Sequence, residues 1–465
     1  MKTINRKPLF LALAGITALG AVGTAQAVNL SPGGLGQVLL YPYYTVNGSS
    51  AAVPYNTLLS IVNSTNSTKA VKVRFREGKA SEEVLDFNLF LSPYDVWTAS
   101  LEPNTATGGV TLFTADRSCT IPAIPATGVD FRNSDYTGDN FSDDTLGRLR
   151  EGYAEVIEMA TFTADSSTAT NAKHAATGIP KDCATITTSE DKVLAQQKPV
   201  AGGLTGSISL VAPGSGFNSA VDPIALDNFR HDAFYQLCCS SEPELSSADP
   251  FSVSTGKDGV VYANWTYGED AVSAVLMKAN IINEFVLDTN TNSATNWVVT
   301  MPTKHFYGPF YTELGVSFWY PPFQGGGGTA SCDTVQAVLW NREEAQSTLL
   351  DFSPQPKTTL CWETNVITFN GVNLFGSTNV RNANTTFANG WGRIGFTGSR
   401  LLVADSATVV IANGGSPFSA AASTTFTGLP VIGFAVQTFR VTPTNSYAGT
   451  FYHRSTSGSP GEHQQ

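Results

Sequence analysis

The chain has 465 residues, 42% of them hydrophobic and only 14% charged, with a formal net charge of −11. That much apolar residue excludes a disordered chain, and a charged share well under the usual quarter leaves hydroxyls and amides to carry the surface polarity. The acidic balance, with no basic cluster after the first residues, argues against nucleic acid or anionic lipid as a partner and favours divalent cations.

Residues 1–27 read as a signal peptide for Sec-dependent export. Lys2, Arg6 and Lys7 precede an apolar stretch from Leu9 to about Val22, and Ala25-Gln26-Ala27 supplies the cleavage site, so Val28 is the expected first mature residue. No cysteine stands at that site, which argues against a lipid anchor. No later run of about eighteen apolar residues predicts a transmembrane helix. The expected destination is the cell surface or the medium. The remaining chain is long enough for several domains: an N-terminal β-sandwich over 28–215, a mixed segment over 216–325 with helical insertions and strands, a C-terminal β-rich domain over 326–454, and a disordered tail over 455–465.

Period-two alternation dominates, as half-buried strands require. "NTLLSIVNST" reads as a strand closed by turn chemistry. In "AVKVRFREG", Val71, Val73 and Phe75 share one face and Lys72, Arg74 and Arg76 the other; in "VLDFNLFLSPYDVW", Leu85, Phe87, Leu89 and Leu91 align until Pro93 stops the strand. This succession of strands and turns is how an immunoglobulin-like sandwich begins. Further strands are expected at "EGYAEVIEMATF", "LTGSISLVA", "NWVVTMP", "VQAVLW", "NVITFNGV", "RLLVA" and "LPVIGFAVQTFRV". Two stretches predict helices: "VDPIALDNFRHDAFYQL", capped by Asp222, and "EDAVSAVLMKANIINEF", with Val272, Val275, Leu276 and Ala279 on one stripe. The Ser/Thr/Asn/Gly-rich stretches at 163–190, 212–220 and 240–258 read as loops, and "FQGGGGTAS" as a flexible joint. The fold class is mainly β, with Ig-like or related sandwiches and short helical insertions.

"FNLFLSPYDVW", "REGYAEVIEM", "NWVVTMPTK" and "LCWETNVITF" together resemble a family of exported proteobacterial β-rich surface proteins with no known activity. These are scaffold strands, so the resemblance implies a location and no chemistry.

Six cysteines suit an oxidising compartment. Cys119 and Cys183 flank a loop-rich segment, and Cys332 and Cys361 bracket a hairpin; these four are the expected disulfide cysteines. Cys238 and Cys239 are neighbours, and a bond between them ranks below separate partners or free buried thiols.

Asp130, Asp135, Asp139, Asp143 and Asp144 crowd one stretch and offer hard oxygens to Ca²⁺. The spacing fails the EF-hand pattern, and a solvated connection kept soluble by like charges is the other reading. No HExxH or CxxC occurs, no GxSxG elbow and no phosphate loop, so zinc, serine-hydrolase and nucleotide chemistry are disfavoured. Glu155 and Glu158, three apart on a strand, face opposite ways and cannot form a glycosidase dyad. Among the aromatics, Tyr41, Tyr43 and Tyr44 of "LLYPYYTV" read as core, whereas Trp319, Tyr320 and Phe323 of "SFWYPPF" are the candidate contact site.

The leading expectation is an exported structural protein of a surface layer, filament or matrix, binding itself or another surface protein. A carbohydrate-binding protein or glycoside hydrolase, with glycan as partner, is the alternative; an outer-membrane β-barrel is the second.

Overall fold

The computed structural model describes residues 27–48, 53–137, 143–255, 259–311, 317–323, 332–349, 352–353, 359–396, 401–411, 418–420, 424–442 and 445–459. The apolar stretch of the expected signal peptide, Asp139 and the glycine joint at 325–328 lie outside the described residues. The protein is mainly β, with 49% strand and 11% helix in several antiparallel sheets. Every sheet among the described residues is an open path with two edges rather than a barrel.

The long N-terminal strands are β1 (Val38–Thr45), β2 (Asn56–Asn63), β3 (Thr68–Glu77), β4 (Glu83–Leu91), β5 (Val96–Pro103), β6 (Glu151–Phe162), β7 (Leu204–Ala212) and β8 (Phe217–Val221). One sheet runs Asn29–Leu30, Ile224–Asp227, β1, β6, β3, β4, Cys119–Ile121; a second runs β8, β7, β2, β5, Val110–Phe113, Val129–Asp130. Val71, Val73 and Phe75 of β3 point into the apolar layer between them, beside Leu59, Ile61, Trp97 and Leu101. Tyr41, Tyr43 and Tyr44 are fully buried there, as expected of core. Tyr44 meets Phe75 and Phe131 edge-on, at 5.9 and 5.8 Å. Each such aromatic contributes roughly 1.5–3 kcal/mol by leaving water.

The remaining sheets use β9 (Met277–Val286), β10 (Ser293–Thr300), β11 (Gln336–Asn341), β12 (Thr364–Phe369), β13 (Asn389–Gly395), β14 (Ile432–Thr442) and β15 (Asn445–Tyr452). A third sheet runs Gln346–Leu349, β11, β13, β9, Leu429–Pro430; a fourth runs Phe352–Ser353, Val380–Ala383, β12, β10, β14, β15. Gly392 lets the third sheet close on the fourth, since a Cβ there would sit 2.6 Å from Leu339 and 3.0 Å from Trp297. Val298, Val366, Phe434 and Val436 join the sandwich core, so that core reaches into the fourth sheet. The segment 216–325 gives its strands to sheets on both sides of it.

Several local expectations are corrected. The stretch from Asp222 is no helix: Ile224–Asp227 is a strand paired with β1, because Ala225 and Leu226 are needed to extend the first sheet. The second predicted helix is half right. Gly268–Leu276 is helical and buries Ala271, Val272 and Val275, but the chain then extends into β9, where alternation takes over. The region read as loop at 163–190 holds α1 (Ser167–Ala172) and α2 (Cys183–Thr188), followed by α3 (Glu190–Gln196). Arg454–Ser457, running into the stretch expected to be disordered, pairs with β9.

Candidate functional site

The two outer faces of the sandwich are inverted relative to a soluble sheet, where one face meets the core and the other meets water. On the first sheet, β3 and β6 are buried along their whole length, on both faces. The Lys72, Arg74 and Arg76 side of β3 is therefore covered, not half-buried as the alternation suggested. Burying such cations requires partners, and each has one. Lys72 pairs with Asp86 at 2.9 Å, Arg74 lies 2.8 Å from Glu83, and Arg76 contacts Glu155 at 3.2 Å and Glu244 at 3.1 Å. Glu158, on the other face from Glu155 as the spacing required, pairs with Lys69 at 2.5 Å and accepts from the Gly202 amide. The two glutamates thus hold different partners and form no dyad.

Three covers lie on this charged face. Helices α1 to α3 cover Phe90 and Met159, tied down by the Cys119–Cys183 disulfide. The loop 236–244 lies over the middle, where the carbonyls of Ser240, Ser241 and Pro243 accept from the Arg74 guanidinium at 3.3, 2.6 and 3.1 Å. The far end meets the C-terminal half: the Tyr153 hydroxyl lies 2.8 Å from Ser81 and 3.3 Å from the Pro302 carbonyl, and both ring nitrogens of half-buried His305 are shut away from water without a hydrogen bond. Burial, then the charges of Arg76 and Arg74, push the His305 pKa well below its ordinary value, so it is neutral. Burial also raises the Glu363 carboxyl to about 8, against the pull of Lys304. Lys304 and Glu363 are themselves buried.

Cys238 and Cys239 are bonded to each other, which corrects the expectation of separate partners or free thiols. The reason is simple: Cys119–Cys183 and Cys332–Cys361 use the other four. Their sulfurs lie near Asp86, the one grouping of three metal-type ligands among the described residues. Sulfurs held in a disulfide offer no thiolate to a metal.

The outer face of the second sheet is the converse. Its outward positions on β8, β7, β2 and β5 are Asn218, Ala220, Thr205, Ser207, Ser209, Val211, Asn56, Leu58, Ser60, Val62, Val96, Thr98, Ser100 and Glu102. One side chain in that whole array is charged, and Leu58 and Val96 stand 45% and 47% exposed. A shallow hollow of about 580 Å³ opens on it, lined by Leu58, Ser60, Thr98, Ser100, Phe113 and Ser207. Sequence reading missed this face, although the outward Ser, Thr and Val positions of "LTGSISLVA" and "NTLLSIVN" carried the signal.

The residues singled out from sequence are placed as follows. Asp130 accepts from Thr111 at 2.5 Å and Asn104 at 3.1 Å; Asp143 pairs with Lys79 and accepts from Thr145; Asp135 accepts from Ser134; the Asp144 carbonyl accepts from Asn133. The described aspartates thus tie down their own connection. Phe323 is fully buried, Trp319 is half-buried with Lys304 over its ring at 5.6 Å, and Tyr320 is 54% exposed. The structure therefore does not bring those three together as one exposed patch.

Compared with known proteins, the chain matches no family model and no curated protein.

Proposed function

We propose that this is an exported structural protein of a cell-surface layer, filament or matrix, and that it works by self-association through the bare face of the second sheet. The observation that supports this reading is the inversion described above: charge is taken inside on one sheet, while the exposed sheet is left with hydroxyls and aliphatics. A face with one charge among fourteen outward side chains is a poor solvent surface and a good one to set against a second copy.

Magnitude decides what kind of contact it makes. Four strands about 4.8 Å apart, with about eight residues at about 3.4 Å each, span roughly 500 Å². A stable dimer needs about 800 Å² per partner. A single contact is therefore weak, and the face suits a repeated array in which many weak contacts add.

The test is analytical ultracentrifugation and negative-stain microscopy on the purified protein across concentration. Reversible, concentration-dependent assembly is expected, and Leu58→Lys with Thr98→Lys should abolish it without lowering the melting temperature, since both side chains are exposed. A wild-type monomer at every concentration, or unimpaired assembly of the lysine variant, would overturn the reading.

A further inference from the structure

The third sheet carries a second surface, of different chemistry. In "NGWGRIG", Trp391 stands outward on β13, directly opposite Trp340 on β11. Their rings stack 4.1 Å apart and 11° from parallel. Neighbouring strands lie about 4.8 Å apart, close to that separation, so the ring normals run along the row of strands. One face of Trp391 is taken by Trp340. The other looks across β9, and Trp391 is 39% exposed.

What stands across β9 is polar. Glu284 lies directly opposite Trp391 in the register, and Arg454 lies opposite Ile282, one row along. Their side chains are 57% and 76% exposed and meet at 3.3 Å. Arg393, two residues along β13 from Trp391, lies 5.8 Å from the centre of the Trp340 ring. The result is an exposed indole with a carboxylate standing across the neighbouring strand from its open face and a guanidinium one row further along.

We propose that this is a binding site for neutral glycans of linked hexopyranose rings. The C–H face of a pyranose is apolar and matches an indole face, while its rim of hydroxyls donates to a carboxylate and accepts from a guanidinium. Glu284 and Arg454 neutralise each other at 3.3 Å, so that pair offers hydrogen bonds rather than a net charge, and the overall charge of −11 opposes an anion at long range. The site is independent of the self-association face.

The experiment is calorimetry and indole fluorescence on the purified protein, with cellohexaose and chitohexaose as probes. Binding of at least one probe at millimolar or tighter dissociation constant is expected. Trp391→Ala should weaken it at least tenfold, and Glu284→Gln about threefold or more. Glu284→Gln leaves both indoles in place, so its far-UV exciton couplet, the signature of stacked indoles, reports that the site is folded. Absence of heat and fluorescence change with both probes up to about 10 mM would overturn the proposal. So would Trp391→Ala or a folded Glu284→Gln variant with wild-type affinity.

Discussion

Glu363 sits where burial wins over a nearby cation, and its titration should be visible in the stability of the whole chain. Its carboxyl is raised to about 8, first by burial and then by Glu77, against Lys304. A group that binds its proton more tightly when folded stabilises the protein at low pH and loses that contribution as pH rises towards the folded value. His453 works the other way. Its Nε2 donates to the Val298 carbonyl at 3.0 Å, Nδ1 accepts from Asn283 at 3.1 Å, and burial lowers it to about 4. It therefore costs stability as pH falls below about 6.5, as does His305. The histidines oppose Glu363 below pH 6.5, so the clear window is pH 6.5 to 8. There Glu363 should lower stability by at most about 2 kcal/mol. Urea unfolding across that window should show the fall, and Glu363→Gln should flatten it; an equal fall in the variant would assign the effect elsewhere. Arg74 presents the opposite risk. Arg74→Met leaves Glu83 with Arg132 alone, at 2.6 Å, and strips the Ser241 and Pro243 carbonyls of their donor. At about 1–3 kcal/mol for an unsatisfied buried acceptor, it should lower stability by a few kcal/mol in the same measurement. Alternation in the sequence correctly put Lys72, Arg74 and Arg76 on one face. It could not say what lay on that face, because a period of two reports shared orientation and not the cover supplied by residues 166 to 169 positions away.

At the scale of elements, the helices over the first sheet show which signals were legible. Ser166 accepts from the Ala169 amide at 3.1 Å and Asp182 from the Thr185 amide at 3.0 Å, so both N-caps stood in the sequence. The segments between were too short and too rich in Ser and Thr to declare a helical stripe. Helices of six residues are unstable alone, and tertiary packing decides. Ala169, Ala172, Ile186 and Val193 bury against Phe90 and Phe162, with Cys119–Cys183 closing the unit across a separation of 64 residues. A loop of that length gives roughly 4 kcal/mol by the chain-entropy relation. Cys119→Ser with Cys183→Ser should therefore lower unfolding stability by about that amount, and limited proteolysis should cut first between 163 and 198. Intact wild-type resistance in the variant would mean that packing alone holds the helices. The strands were far easier to read, since "EGYAEVIEMATF" and "LTGSISLVA" are β6 and β7 nearly residue for residue. The tryptophan stack was missed because Trp340 and Trp391 are 51 residues apart, and only strand register brings them together.

For the whole molecule, the same arrangement that makes one face bare makes the net charge an obstacle. Two copies carrying −11 each repel at long range, whatever attracts them at contact. If the contact is the face of the second sheet that carries Glu102 as its one charge, salt has little there to weaken and a long-range repulsion to remove. The Debye length falls from about 30 Å at 0.01 M to about 8 Å at 0.15 M, so assembly should strengthen over that range. It should strengthen again as pH approaches the sequence isoelectric point near 5.0. Contact through surface ion pairs predicts the reverse salt dependence, because screening weakens each pair. Light scattering at fixed protein concentration, stepped from low to physiological salt at pH 7.5, separates the two. Particles that grow with salt would place attraction in the hydroxyl and aliphatic face; particles that dissolve with salt would move it to the charged rim and away from β2, β5 and β7.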